Sequence, residues 1–300
     1  MVSSLGALHH VTAFAGDPSQ NLDFYIHFLG LRLVKRTVNF DDPATYHFYF
    51  GDAHGTPGTL VTFFPWPKAP AGRLGTGQAA GASFAVPGNA LSCWIERARG
   101  AKIDCSRIAT RFKDELITLR DPAGLPVELI ASEPESDDPA IVRLHSVTLC
   151  ESDPARTFAF LQKPLGFALV GQEGNRTRCT SGALIVDILA LEGAERAKLT
   201  SGMVHHVAFR APDDAQQLEW REKLKNAGRN VTRVIDRQYF RSIYFREPGG
   251  VLFEIATDGP GFFVDEPELG SGLRLPPWLE PLRESIERRL PQVKDGEYAD

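Results

Sequence analysis

A chain of 300 residues, 43% hydrophobic and 24% charged, is long enough for two ordinary domains and can bury a substantial core. Its formal net charge of −5 and its scattered arginines give no basic tract for nucleic acid. No apolar stretch approaches the roughly 20 residues that span a bilayer, and Met1-Val2-Ser3-Ser4-Leu5 shows no charged region ahead of a hydrophobic signal core, so a cytoplasmic protein with no membrane partner is expected.

Four units follow one another, each reading strand, helix and then several strands that end in an apolar run. The first opens at Leu8-His9-His10-Val11-Thr12, and Asp17-Pro18 supplies an N-cap and first-turn proline for a helix that ends at Gly30. Its closing strand is expected over 58–64. The second opens at Gly81-Ala82-Ser83, continues through a helix around Leu91-Ser92-Cys93-Trp94, and closes from Asp121-Pro122 into Glu128. The third opens at Leu144-His145-Ser146-Val147. The fourth opens at Val204-His205-His206-Val207, carries a helix near 215–227, and closes from Glu247-Pro248-Gly249-Gly250 into Glu254. Beyond Thr257 the composition turns to glycine and proline, with Trp278 and a short amphipathic helix over 280–290; this extension is expected to cover a domain or a pocket mouth. Cys93, Cys105, Cys150 and Cys179 form no CxxC pair, which argues against a zinc knuckle or a disulfide framework and for reduced packing residues.

His10, His206 and Glu254 occupy equivalent points of this repeat and are the candidate metal ligands. Glu254 is one acid in the apolar run Gly250 to Ala256, and burying it unpaired is costly unless a cation neutralises it. Two imidazoles and a carboxylate with open positions suit Fe(II), with Mn(II) as the alternative, better than a closed zinc site. Openings equivalent to His10 carry Gly81 and Ser146, while closings equivalent to Glu254 carry Thr62 and Glu128. Glu128 has no histidine companion and reads as an acid satisfied by hydrogen bonds or exposed. Thr12 shares the face of His10 by strand alternation, whereas His9 and His205 point elsewhere. His27, His47 and His54 have no matched partner and read as surface or packing residues.

The arrangement resembles the vicinal oxygen chelate superfamily. More narrowly, Leu8-His9-His10-Val11-Thr12, the stretch from Leu31 to Pro43 and the stretch from Pro57 to Trp66 resemble the ring-cleaving dioxygenases that open hydroquinones and chlorohydroquinones. The resemblance implies an α+β fold in which four βαββ(β) modules form two cupped mixed-sheet half-barrel domains. The expected division is an N-terminal domain over 1–135 with modules one and two, a C-terminal domain over 140–257 with modules three and four, and an extension over 258–300. It also implies an Fe(II) enzyme acting on a small aromatic substrate with O2, with the metal held between modules one and four. Arg237 and Tyr244 match its substrate-pocket pair, and His9, His205 and Thr12 are implied to support the site. A glyoxalase-type lyase or isomerase stays open if another acid such as Asp52 replaces the ligand that Thr62 does not provide. A catechol extradiol enzyme would need a histidine at Ser146. A homo-oligomer is left open.

Overall fold

A computed structural model describes residues 5–293; the N-terminal tetrapeptide read for a signal sequence and the last seven residues of the extension lie outside the described residues. Module one comprises β1 (Leu8–Ala15), α1 (Pro18–Leu22), which continues into a π-helical segment (Asp23–Phe28), β2 (Arg32–Asn39), β3 (Asp42–Gly51) and β4 (Leu60–Pro65). The carboxylate of Asp17 accepts from the amides of Ser19 and Gln20, so the expected N-cap starts this helix. After the short β5 (Gln78–Ala79), module two comprises β6 (Ala82–Pro87), α2 (Leu91–Ala101), β7 (Ala109–Arg111), β8 (Asp114–Arg120) and β9 (Pro126–Ser132).

Module three comprises β10 (Arg143–Glu151), α3 (Pro154–Gln162), β11 (Ala168–Glu173), β12 (Arg176–Ser181) and β13 (Leu184–Ala190). Module four comprises β14 (Val204–Ala211), α4 (Asp214–Asn226), β15 (Ile235–Asp236), β16 (Phe240–Arg246) and β17 (Leu252–Pro260). The extension adds two 3-10 turns and α5 (Arg283–Glu287), shorter than the helix expected over 280–290.

Within every module the first and last strands are parallel neighbours, and the modules join through antiparallel pairs of their opening strands: β1 with β14, and β6 with β10. One sheet therefore runs β15-β16-β17-β14-β1-β4-β3-β2 and the other β11-β12-β13-β10-β6-β9-β8-β7. The segments 1–135 and 140–257, expected as the two domains, thus each contribute one module to either sheet. The opening strand is the edge at which a module can pair with another, and His10 and His206 meet there because the chain returns module four beside module one.

Alternation sorts the side chains of these strands to two faces. On β3, Phe48 and Phe50 join the main core under the helices, whereas His47 and Tyr49 face the concave side. Helices α2 and α4 cover the convex side and bury Trp94 and Trp220, both 1% exposed; truncating either to alanine costs about 3–5 kcal/mol. A smaller cluster, including Tyr49, Tyr239, Phe240 and Phe262, floors the cup of the first sheet. No helix among the described residues is long and apolar enough to cross a membrane.

Candidate metal centre and ring-sized cavity

His10 on β1, His206 on β14 and Glu254 on β17 stand on three adjacent strands and converge inside this cup. His10 Nε2 lies 3.1 Å from His206 Nε2, and Glu254 Oε2 lies 3.5 Å from the first and 2.9 Å from the second. Metal bonds of about 2.1 Å meeting near right angles place donor atoms about 3 Å apart, which is the spacing found. All three side chains are buried.

Hydrogen bonding fixes what these atoms offer. His9 Nε2 lies 3.2 Å from the carbonyl oxygen of Thr257, so this nitrogen carries the proton and donates. Burial, then the neighbouring His10, lowers His9 to a pKa of about 3, so it is neutral and its Nδ1 is an acceptor. His10 Nδ1, 2.9 Å away, must then donate, and its Nε2 turns a lone pair toward Glu254. The second opening repeats the device, with His205 Nδ1 2.7 Å from His206 Nδ1. With the same polarity, three acceptors face one another. Glu254 Oε2 has no hydrogen-bond partner although it is buried, whereas Oε1 accepts from Ser242 Oγ. Such a constellation calls for a cation, and the donor set fits a divalent one.

Beside the triad opens a cavity of about 200 Å³ whose wall includes Phe14, Phe64, Tyr49 and Phe240; a cavity of about 150 Å³ admits benzene. Arg237 and Tyr244 both line it. Arg237 Nε donates to the Tyr244 hydroxyl oxygen at 3.1 Å, and its Nη1 reaches Asp41 at 3.0 Å across the mouth. Gln238, next in the chain, takes the left-handed φ of +67°, part of a tight turn in which the amide of Tyr239 donates to the Arg237 carbonyl. Burial, then Glu254, pushes the Tyr244 phenol well above its ordinary range, so it keeps its proton and can donate.

A family model, Glyoxalase/Bleomycin resistance protein/Dioxygenase superfamily, matches residues 7–129 and 143–255. The chain belongs to this superfamily. Within the superfamily it is 42% identical, over 97% of both chains, to a protein of Bacillus subtilis (strain 168) named "Putative ring-cleaving dioxygenase MhqO". It is 32% identical, over 94% of its length and 95% of the other, to the chlorohydroquinone/hydroquinone 1,2-dioxygenase of Sphingobium indicum. A crystal structure of a "putative dioxygenase" from B. subtilis superposes with a TM-score of 0.92 at 40% identity, covering 99% of this chain and 100% of that one. Maize glyoxalase I shares the fold, at a TM-score of 0.64 and 16% identity over 84% of this chain and 92% of its own.

This superfamily member brings together nearly all the residues its sequence singles out: the triad, His9 behind it, His205 beside it in the cavity wall, and Arg237 and Tyr244 across the cavity. Thr12 is buried on the same face, but its hydroxyl is engaged by Thr62 at 2.8 Å. Asp52 caps its own loop, accepting from the amides of His54 and Thr56, and takes no place in the cavity wall. Ser146 lies in the other sheet, 3.0 Å from His145 Nδ1. Glu128 there accepts from Arg111 through both oxygens and from Ser83. His27 and His54 are exposed. His47, read as a surface or packing residue, instead lines the cavity. Sequence reasoning also missed the bond of Ser242 to Glu254 and the place of Tyr49 in the cavity wall. Each alternates with core residues on an amphipathic strand, a signal present in the sequence but silent about partners on the next strand.

Proposed function

We propose that the cup formed by modules one and four is the active site of a metal-dependent dioxygenase that opens a hydroquinone-like ring, with His10, His206 and Glu254 as ligands of Fe(II), or of Mn(II), which suits the same donors. The observation that carries this reading is the convergence of three buried acceptors, one an unpartnered carboxylate oxygen, on a cavity the size of a single aromatic ring. The named activities of the relatives support it. When bound, the ion supplies Lewis acidity toward a phenolic oxygen and a redox partner for O2.

The chain's own residues do the remaining work. His9 and His205 hold the tautomers that aim both ligand lone pairs inward. Since the Tyr244 oxygen accepts from Arg237, its O–H is free to donate to a phenolic oxygen at the triad, and the guanidinium favours negative charge developing there. Phe14, Phe64 and Phe240 exclude water from the ring. A glyoxalase-type reading lacks its fourth ligand, because Thr62 is tied to its neighbours and Asp52 to its loop.

The test is metal content and turnover in His10→Ala and Glu254→Ala. Both are expected to lose the ion and the oxygen-dependent ring opening, while Ser146→Ala keeps them; full iron and turnover in either ligand variant would sink the assignment.

A further inference from the structure

The two halves of the cup are related by an approximate twofold axis between β1 and β14. In module four Tyr244 stands opposite Glu254 and Ser242 opposite Ala256. In module one Tyr49 stands opposite Thr62, and continuing that register sets His47 beside Phe64, whose ring centroid is 4.3 Å away. Thr62, His47 and Tyr49 are therefore the counterparts of Glu254, Ser242 and Tyr244. Just as Ser242 bonds Glu254, His47 Nε2 meets Thr62 Oγ1 at 2.8 Å, and Thr62 Oγ1 meets Thr12 Oγ1 at 2.8 Å.

Each hydroxyl has one proton to place. Thr12 is fully buried, and Thr62 is the only partner of its hydroxyl among the described residues. Were Thr62 to donate to Thr12, the Thr12 proton would have no acceptor. The chain is satisfied when Thr12 donates to Thr62 and Thr62 donates to His47 Nε2. The neutral imidazole then carries its own proton on Nδ1, which has no protein partner among the described residues, while the ring lines the cavity. Strand β3 lies two strands from β1, about 10 Å across the sheet, so this donor stands on the wall away from the triad.

We propose that His47 is a substrate-orienting residue whose Nδ1–H receives the ring oxygen that does not reach the triad, selecting phenols with a second oxygen across the ring over those with two adjacent oxygens. This rests on the dioxygenase reading of the site and adds to it the residue that selects a hydroquinone. Thr12 and Thr62 serve as positioning residues that fix the tautomer.

The experiment is anaerobic binding, without turnover, of hydroquinone, catechol and 4-methylphenol to the Fe(II)-loaded protein, in wild type, His47→Phe, His47→Asn and Thr62→Val, with metal content and melting temperature recorded for each. Wild type is expected to bind hydroquinone at least about tenfold more tightly than 4-methylphenol, which has the same outline without the second oxygen. In His47→Phe that preference disappears while 4-methylphenol binding holds within about twofold, and His47→Asn, whose amide reaches the Nδ1 position, restores most of it. Thr62→Val keeps the imidazole but frees its tautomer, so it weakens the preference even if the phenylalanine variant folds poorly. A preference unchanged in both His47→Phe and Thr62→Val, or equal losses for both ligands with the metal retained, overturns the role of His47. A wild type that holds its metal but binds none of these phenols overturns the dioxygenase reading itself, and the inference with it.

Discussion

Ser242 shows how much a single hydroxyl can decide at this site. By holding Glu254 Oε1 it leaves Oε2 to face the two imidazoles. Ser242→Ala is expected to lower metal affinity by about 10–100-fold with the fold intact, measured by competition with a chelator; unchanged affinity would make the serine incidental. Tyr244→Phe should retain the metal yet slow ring opening by about 100-fold, in a turnover assay at saturating substrate. The triad was legible in the sequence because the repeat places His10, His206 and Glu254 at its openings and closing, where an acid among apolar neighbours demands a partner. Ser242 and His47 were not, because their roles come from strand register: each matters through the residue on the neighbouring strand, which no local motif records.

Among the elements, β2 carries a buried lysine that ties down the extension. Lys35 is 0% exposed; its ammonium donates to the Phe262 carbonyl at 3.0 Å and pairs with Asp265 at 2.6 Å and with Glu266. Tyr239, beside the Arg237 turn, donates to the same Asp265 at 3.0 Å. Trp278 reaches Phe40 in the cavity wall, with ring centroids 5.7 Å apart. Lys35→Met strips this network of its cation and leaves Glu266 with Arg274. It should cost about 3–5 kcal/mol and expose the extension to protease before the rest of the chain, read by chemical denaturation and timed digestion. The glycine and proline after Thr257 made a covering segment readable in the sequence. Its anchor was not, because a lysine in the run Leu33-Val34-Lys35-Arg36 reads as solvent-facing until the acids that bury it are placed.

At the scale of the whole molecule, two related sheets have opposite fates. The first keeps an open cup. In the second, Arg111 neutralises Glu128 at the position equivalent to Glu254, and Arg178 joins Asp187 to Asp114, filling the corresponding interior with paired charge. The sheets meet through equivalent contacts: Tyr25 donates to Asp121 at 3.4 Å, and Thr157 to Glu247 at 2.9 Å. Beside the second contact, burial and then Glu247 push the Glu151 carboxyl up to about 8. A carboxyl raised above its unfolded value contributes stability that is fully present below about pH 4.5 and lost as pH rises through about 8. Glu151→Gln keeps a donor toward Glu247 without a charge to bury. It should flatten this pH dependence and raise stability at pH 8 by about 2 kcal/mol, seen in melting temperatures across pH; a variant no more stable there would contradict the account. The sequence showed four modules but not their partition into sheets. Opening-strand pairing is a long-range choice, and only the histidines shared by modules one and four hinted at it.

The most direct test of the central claim is oxygen uptake by protein reconstituted anaerobically with Fe(II), followed with product absorbance as hydroquinone is added. One O2 consumed per ring opened, lost in Glu254→Ala, is the predicted result. A protein that binds one ion yet consumes no oxygen with hydroquinone, its methyl or chloro derivatives or catechol would contradict it and favour glyoxalase-type chemistry in the same cup.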